Sequence, residues 1–182
     1  MSEIITGIYI FNQAEINDPN GGVKCHKPNT IINVEPNPDT QIFPNCEYFH
    51  FPLMDDESNS AKQIAEVLSC LHVKIKQGKY PIILHCKEGK SRSPALVAMY
   101  LFMALYPGFA SLDEAFEFVK RQRTFTASSP YQKIEIVKGR FYESCKKHLE
   151  SGCCSLGHLM ISFKALSWSS WNKEKQCMIE AW

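Results

Sequence analysis

Cys86 and Arg92 stand five residues apart in the stretch Leu84-His-Cys-Lys-Glu-Gly-Lys-Ser-Arg-Ser93. A cysteine thiolate is a strong nucleophile, and a guanidinium is a planar fork that grips two oxygens of one phosphate, which lysine does not reproduce. Gly89 lets the backbone between them curl without a Cβ clash. A loop that closes into a helix N-terminus aims several N–H groups at one spot and adds the positive end of the dipole, a nest suited to a dianion. Lys87, Glu88, Gly89, Lys90, Ser91 and Arg92 would form that cradle. The same field favours the thiolate of Cys86, since thiols in such settings ionise at about 3.5–7.5 rather than about 8.5. Attack on phosphorus would give a cysteinyl phosphate, which water then hydrolyses.

With eight cysteines in the chain, the bare Cys-x5-Arg spacing is a weak signal. Its setting makes it strong: a preceding His85, an internal Gly89, a flanking Ser93, an apolar strand before and a helix after. A nucleotide-binding loop ending in Gly89-Lys90-Ser91 is excluded, because it needs glycine where this chain has Leu84. The leaving oxygen of a phosphoester also needs a proton, which a carboxyl group over the site can supply. In Phe51-Pro-Leu-Met-Asp-Asp-Glu-Ser58 three carboxylates, Asp55, Asp56 and Glu57, gather where a strand ends. The same cluster also reads as a solvated acidic turn near a helix N-terminus.

These residues need a frame. Gly7–Phe11, Thr30–Val34 and Glu47–Phe51 are short β-branched and aromatic runs bounded by Gly, Asn and Pro, and read as strands. Pro81–Leu84 is a continuous apolar run, as expected of a strand buried on both faces. From Ser60, residues Ile64, Val67, Leu68, Leu71 and Ile75 recur at helical period, with Gly78 as the stop. Pro94–Leu105 reads as a buried helix ended by Pro107-Gly108. Ser111-Leu-Asp-Glu114 is a capping box opening a helix to Arg121. Ser129-Pro130 pairs a cap with a first-turn proline, opening a helix that runs to about His148. Strands followed by helices predict an α/β domain with a central, mostly parallel sheet and helices on both sides. At the carboxyl end of its central strand, the Cys86 loop would face the crevice where such sheets bind ligands.

The 182 residues suit one domain with a substantial core. Twenty Lys and Arg against nineteen Asp and Glu leave no global charge to attract nucleic acid or a membrane surface. The start of the chain lacks the basic, then apolar, pattern of a signal peptide, and Ser2 is not the glycine of myristoylation. Cys177-Met-Ile-Glu-Ala-Trp182 is not a prenylation box, and the longest apolar runs are too short to span a bilayer. A cytoplasmic or nuclear protein with reduced thiols is therefore expected, with no metal site at zinc-finger spacing. The catalytic unit is expected over residues 1–150. Residues 151–182, which hold Trp168, Trp171 and Trp182, read as a loosely packed tail or as an aromatic docking segment.

The stretch from His85 to Ser93, followed by Pro-Ala-Leu-Val, resembles the signature of dual-specificity protein phosphatases. The resemblance covers roughly residues 3 to 145, with Gly7–Ile10 and Asn29–Val34 like that family's opening strands and Tyr131–Phe141 like its final helix. It implies the cysteine-phosphatase fold, with no metal and no cofactor. It also implies that Ser93 bonds the sulfur and helps it leave, while His85 orients the loop from behind; His85 also reads as a satisfied core histidine. The family's acid follows a similar strand-Pro stretch, a register that Asp55 matches better than Asp56 or Glu57. The segment Arg123–Ser129 departs from the family in lacking its usual Pro and Asn.

No tyrosine-bearing recognition loop precedes residue 60. The resemblance thus implies a shallow pocket open to phosphotyrosine, phosphoserine and phosphothreonine in proteins. Lys87 and Lys90 point another way. Phosphoinositide phosphatases related to tensin carry lysines at the same loop positions, and a mitochondrial lipid phosphatase of the superfamily is also similar here, so an acidic lipid headgroup is the alternative substrate. The bland reading is that these lysines face solvent. A non-catalytic phosphoprotein-binding module usually lacks Cys, Arg or acid; all are present here, which leaves it the lesser alternative. An exposed thiolate is open to peroxide, with Cys25, Cys46, Cys70 and Cys145 as candidate disulfide partners of Cys86.

Overall fold

A computed structural model describes residues 2–18, 22–41, 43–104, 108–123, 135–152 and 155–159. Strands β1 (Ser2–Ile5), β2 (Ile8–Asn12), β3 (Thr30–Asn33), β4 (Glu47–His50) and β5 (Ile82–Cys86) form one sheet in the order β1-β2-β5-β3-β4. β1 runs antiparallel to β2, and the other neighbours are parallel. β5 is the middle strand and is buried along its whole length, as its unbroken apolar run requires.

Alternation along these strands divides the core in two. Ile82, Leu84 and Cys86 of β5, Ile10 of β2 and Ile32 of β3 face the larger cluster. Ile83, Phe11 and Ile31 face a smaller one, with Ile16, Val23 and Tyr48. Helices α3 (Ala61–Lys76), α4 (Arg92–Ala104), α5 (Leu112–Gln122) and α6 (Arg140–Glu150) cover the first face, and α1 (Gln13–Asn17) and α2 (Gly22–His26) the second. Period two therefore sends Cys86 and His85 to opposite faces. The expected α/β domain, a mostly parallel sheet with helices on both sides, is the observed fold.

Helix α3 begins at its expected cap. Ser60 Oγ accepts from Gln63 N–H at 3.3 Å and Gln63 Oε1 accepts from Ser60 N–H at 2.9 Å, a reciprocal box that satisfies two end donors. It buries Ile64, Val67, Leu68 and Leu71, each worth about 1.5–3 kcal/mol relative to exposure. It stops where Gly78 takes a φ of +68°, a conformation that L side chains resist.

Three local details differ from expectation. α4 starts at Arg92, two residues early, because Ser91 O already accepts from Ala95 N–H at 3.1 Å and closes the first turn. Ser111 does cap α5, accepting from Glu114 N–H at 3.1 Å, but Glu114 Oε2 turns to Ala110 N–H at 2.7 Å, so the box is half made. The last described helix opens at Arg140, so no unbroken helix runs to His148 from the expected start. Residues 135–139 are not helical, and Val137 N–H donates to Lys90 O at 3.1 Å instead of joining a helix ladder. Ser129, Pro130 and Tyr131 lie outside the described residues, as do Pro107 and the three tryptophans. β1, α1 and α2 were not expected; each spans only four or five residues, too few to display a period. Beyond residue 150, Leu156 is buried against the main core and Leu159 packs beside it.

Candidate active site

The loop from Cys86 to Arg92 leaves β5 and enters α4 without a break. Backbone pairing holds its start from both sides: Val34 N–H donates to His85 O and Gln13 N–H to Lys87 O, both at 3.0 Å. Asp55, Cys86, Lys87, Glu88, Lys90, Ser91, Arg92 and Val137 line one cavity of about 150 Å³. Seven of these eight were expected there. Val137 was not, because the segment carrying it was expected to be helix.

Cys86 sits at the floor, 2% exposed, with Sγ 3.1 Å from Ser93 Oγ. Arg92 is buried in the first turn of α4, and its Nη1 donates to Leu53 O at 3.0 Å and to Val34 O at 3.3 Å. Two carbonyls beyond the ends of β3 and β4 thus fix the guanidinium, and its Nε, without a hydrogen-bond partner among the described residues, lies 4.0 Å from Asp55 Oδ2. The cavity floor is built of a sulfur, a fixed cation and a helix N-terminus, the ingredients of an oxyanion site.

The acidic segment is also fixed. Asn59, 3% exposed, accepts from Met54 N–H at 2.9 Å and donates to Met54 O at 2.8 Å and to Asp56 O at 3.1 Å. That staple brings Asp55 over the cavity, where its Oδ1 accepts from Ser91 Oγ at 2.6 Å. Asp56 turns away: Ser58 donates to it from both N–H and Oγ, and these bonds lower its pKa. Glu57 is exposed and does not line the cavity. Of the two loop lysines, Lys90 pairs with Glu88 at 3.1 Å, while Lys87 is exposed at the rim.

Two supports lie behind the loop. His85 is fully buried, and its Nε2 lies 2.9 Å from Asp39 Oδ2. Burial pushes Asp39 upward, but the hydrogen bond and charge of His85, then the bonds from Gln13 and Tyr48, outweigh it and hold its pKa below the ordinary value. Arg123, 1% exposed, donates from Nε to Gly89 O at 2.7 Å and from Nη1 to Ile10 O. Gly89 does not line the cavity; at φ +64° it packs over this guanidinium, and a Cβ would collide with Arg123 Nη2 and sit 3.0 Å from Phe11 O. Neither Asp39, in a proline-rich turn, nor Arg123, at the end of an amphipathic helix, carries a signal for burial in its own neighbourhood.

Residues 8–137 match the family model described as dual specificity phosphatase, catalytic domain. The dual specificity protein phosphatase H1 of Variola virus is 26% identical over 102 residues, covering 56% of this chain and 58% of that protein. Dual specificity protein phosphatase OPG106 of vaccinia virus (strain Western Reserve) matches with the same identity and coverage. The chain thus spans 58% of the length of these curated relatives. The crystal structure of DUSP15 aligns with a TM-score of 0.69 at 19% identity, over 91% of this chain and 95% of that one. Human DUSP28 aligns at 0.64 and 17% identity, over 83% and 96%. At those identities the structures testify to the fold; the family model, spanning most of the chain around the Cys86 loop, goes further. The chain belongs to the dual specificity phosphatase catalytic-domain family.

Proposed function

We propose that this protein hydrolyses phosphotyrosine and phosphoserine or phosphothreonine in proteins through a phosphate bound covalently to Cys86. The observation that carries the reading is the convergence of Cys86, Arg92, Ser91 and Asp55 on one small cavity, with Ser93 against the sulfur. Arg92 and the amides of residues 87–92 hold the equatorial phosphate oxygens. The thiolate attacks phosphorus, the ester P–O bond breaks, and Asp55 in its acid form gives its proton to the leaving oxygen. Water then attacks phosphorus and gives a proton back to Asp55. The S–P bond breaks with its electron pair on sulfur, to which the Ser93 hydroxyl donates, and inorganic phosphate leaves.

Membership of the family supports a protein substrate, as does the Lys90–Glu88 pair, which takes one cation away from a polyanion. Lys87, exposed at the rim, favours the second reading, an acidic lipid headgroup. A reducing compartment, cytoplasm or nucleus, suits a catalytic thiol, and Cys46, Cys70, Cys86 and Cys145 carry no disulfide.

The test is hydrolysis of p-nitrophenyl phosphate by reduced protein in EDTA, beside Cys86→Ser and with vanadate. Activity in the wild type alone, blocked by vanadate, supports the mechanism; activity surviving in Cys86→Ser overturns it. Phosphopeptides set against phosphoinositides then separate the two substrates. Phosphopeptide binding with no turnover by folded, reduced protein would leave a binding module.

A further inference from the structure

We propose that Arg123 is a positioning residue of the phosphate loop, holding its apex from beneath and setting the reactivity of Cys86. The inference rests on the reading of Cys86 as the nucleophile. The side chain reaches from the end of α5 to three different elements. Nε holds Gly89 O at 2.7 Å, Nη1 holds Ile10 O of β2, and Nη2 lies 3.5 Å from Glu15 Oε2 of α1. Glu15 is itself fixed, since its Oε2 accepts from Asn12 N–H at 2.8 Å and its N–H donates to Asn12 Oδ1 at 2.7 Å. Asn12 is the register partner of Cys86 across β2 and β5. The cation is therefore keyed to the strand that carries the nucleophile.

The geometry has a direct effect on the anion nest. A peptide unit is planar and trans, so its C=O and the following N–H point in opposite directions. With Gly89 O drawn down onto Arg123, the N–H of Lys90 is turned up toward the cavity that Lys90 lines. Without the guanidinium below, this peptide would be free to flip and present an oxygen to the phosphate. Gly89 is matched to this contact, because any side chain there would strike the guanidinium.

The charge acts as well. Arg92 faces Cys86 from α4, Asp55 from the loop after β4, and Lys87, Glu88 and Lys90 from the loop itself, while the His85–Asp39 pair lies on the opposite face and Glu15 offsets part of Arg123. Burial lowers the pKa of Arg123 to about 10 and the negative charge of Cys86 opposes that shift, so the group stays cationic at neutral pH. A cation shut off from water acts on a neighbouring thiolate with little screening.

The experiment follows Cys86 itself, in the full chain. Alkylation by iodoacetamide is read at that residue by mass spectrometry at about pH 6 and about pH 8.5, a window across which thiols ionise, with and without vanadate as protectant. Arg123→Met should lower the ratio of the acidic to the alkaline rate several-fold and weaken vanadate protection at least ~tenfold, the scale of a lost charge-assisted hydrogen bond. Arg123→Lys should recover the rate ratio, because the charge returns, but not the vanadate protection, because the fork does not. A folded Arg123→Met with both wild-type values overturns the proposal and leaves Arg123 a purely structural residue. If that variant does not melt cooperatively, Arg123→Lys decides: weaker protection in a folded protein supports the role, and wild-type protection overturns it. A wild type that protects Cys86 with vanadate yet turns over no phosphoester would sink the proposed function and leave this inference to its own result.

Discussion

Ser91 Oγ donates to Asp55 Oδ1 at 2.6 Å, tying the carboxylate that overhangs the cavity to the loop that forms its floor. Donor and acceptor are thirty-six residues apart and are brought together by two independent devices: the first turn of α4, which presents Ser91, and the Asn59 staple, which presents Asp55. The neighbouring Asp56 has no share in this contact, because Ser58 already occupies it.

Asp55→Asn should therefore lower kcat about 10²–10⁴-fold on alkyl phosphoesters, whose leaving oxygen needs the proton. The loss should be far smaller on p-nitrophenyl phosphate, whose phenolate leaves unaided. Asp56→Asn should keep kcat within a few-fold, a surface substitution affecting only its own turn. Steady-state kinetics on both substrates check this. A larger loss in Asp56→Asn than in Asp55→Asn would exchange the two roles.

The parts of the site legible in the sequence are those made by neighbours along the chain. Cys86 to Ser93 form one loop, so a single strand–loop–helix stretch marks them together, whereas the Asp55–Glu57 cluster reads equally as a solvated turn and only the register of the family sets Asp55 apart from Asp56. Arg123 and Asp39 work across the fold. Arg123 contacts Gly89 and Ile10, at separations of 34 and 113 residues, and no local pattern marks an arginine at a helix end as buried. The break before α6 has the same origin: a helix was expected through residues 135–139, but the backbone of Val137 is held by Lys90. Tertiary contact overrode propensity there, as it commonly does.

Asp39 links the floor of the site to acid stability. Its pKa is depressed because the partners His85, Gln13 and Tyr48 outweigh burial. A depressed carboxyl contributes stability that is complete above its unfolded pKa and is lost as pH falls through the folded one. Asp39→Asn should cost about 1.5–3 kcal/mol at neutral pH, the scale of hydrogen bonds to a charged group. The gap to wild type should close as both are titrated into acid. Urea midpoints at a series of pH values test this, and a gap that stays constant into acid would contradict it.

His72 gives a second pH signature, at a site remote from the chemistry. It is buried on α3, with Nδ1 3.1 Å from Tyr100 Oη, and burial, then the charge of Lys76, lower its pKa to about 4. The native state keeps it neutral while the unfolded chain takes up a proton near about 6.5. Its contribution is therefore complete above the unfolded value, falls as pH drops toward about 4, and is lost below that. At about 1.36 kcal/mol per unit, the loss is on the order of 3 kcal/mol. His72→Phe should flatten the stability profile across this window. Chemical denaturation at intervals of pH measures it, and equal slopes in variant and wild type would refute the assignment.

Oxidation separates Cys86 from Cys46, Cys70 and Cys145. Burial pushes the thiols of Cys46 and Cys70 up to about 11 and that of Cys145 up to about 12. At neutral pH these three are protonated, and a thiol must be ionised to attack a sulfenic acid or a disulfide. Peroxide should convert the Cys86 thiolate to sulfenic acid, oxygen joining sulfur as the O–O bond breaks and hydroxide departs. With no resolving thiolate among those three, continued exposure should carry it on to the sulfinic acid, so that dithiothreitol restores activity early and fails later. Peptide mass spectrometry over a peroxide time course should find one, then two, oxygens on Cys86, with Cys46, Cys70 and Cys145 still reduced. A disulfide joining Cys86 to any of the three would show that the loop opens far enough to meet a buried thiol, and would replace irreversible loss with a protective switch.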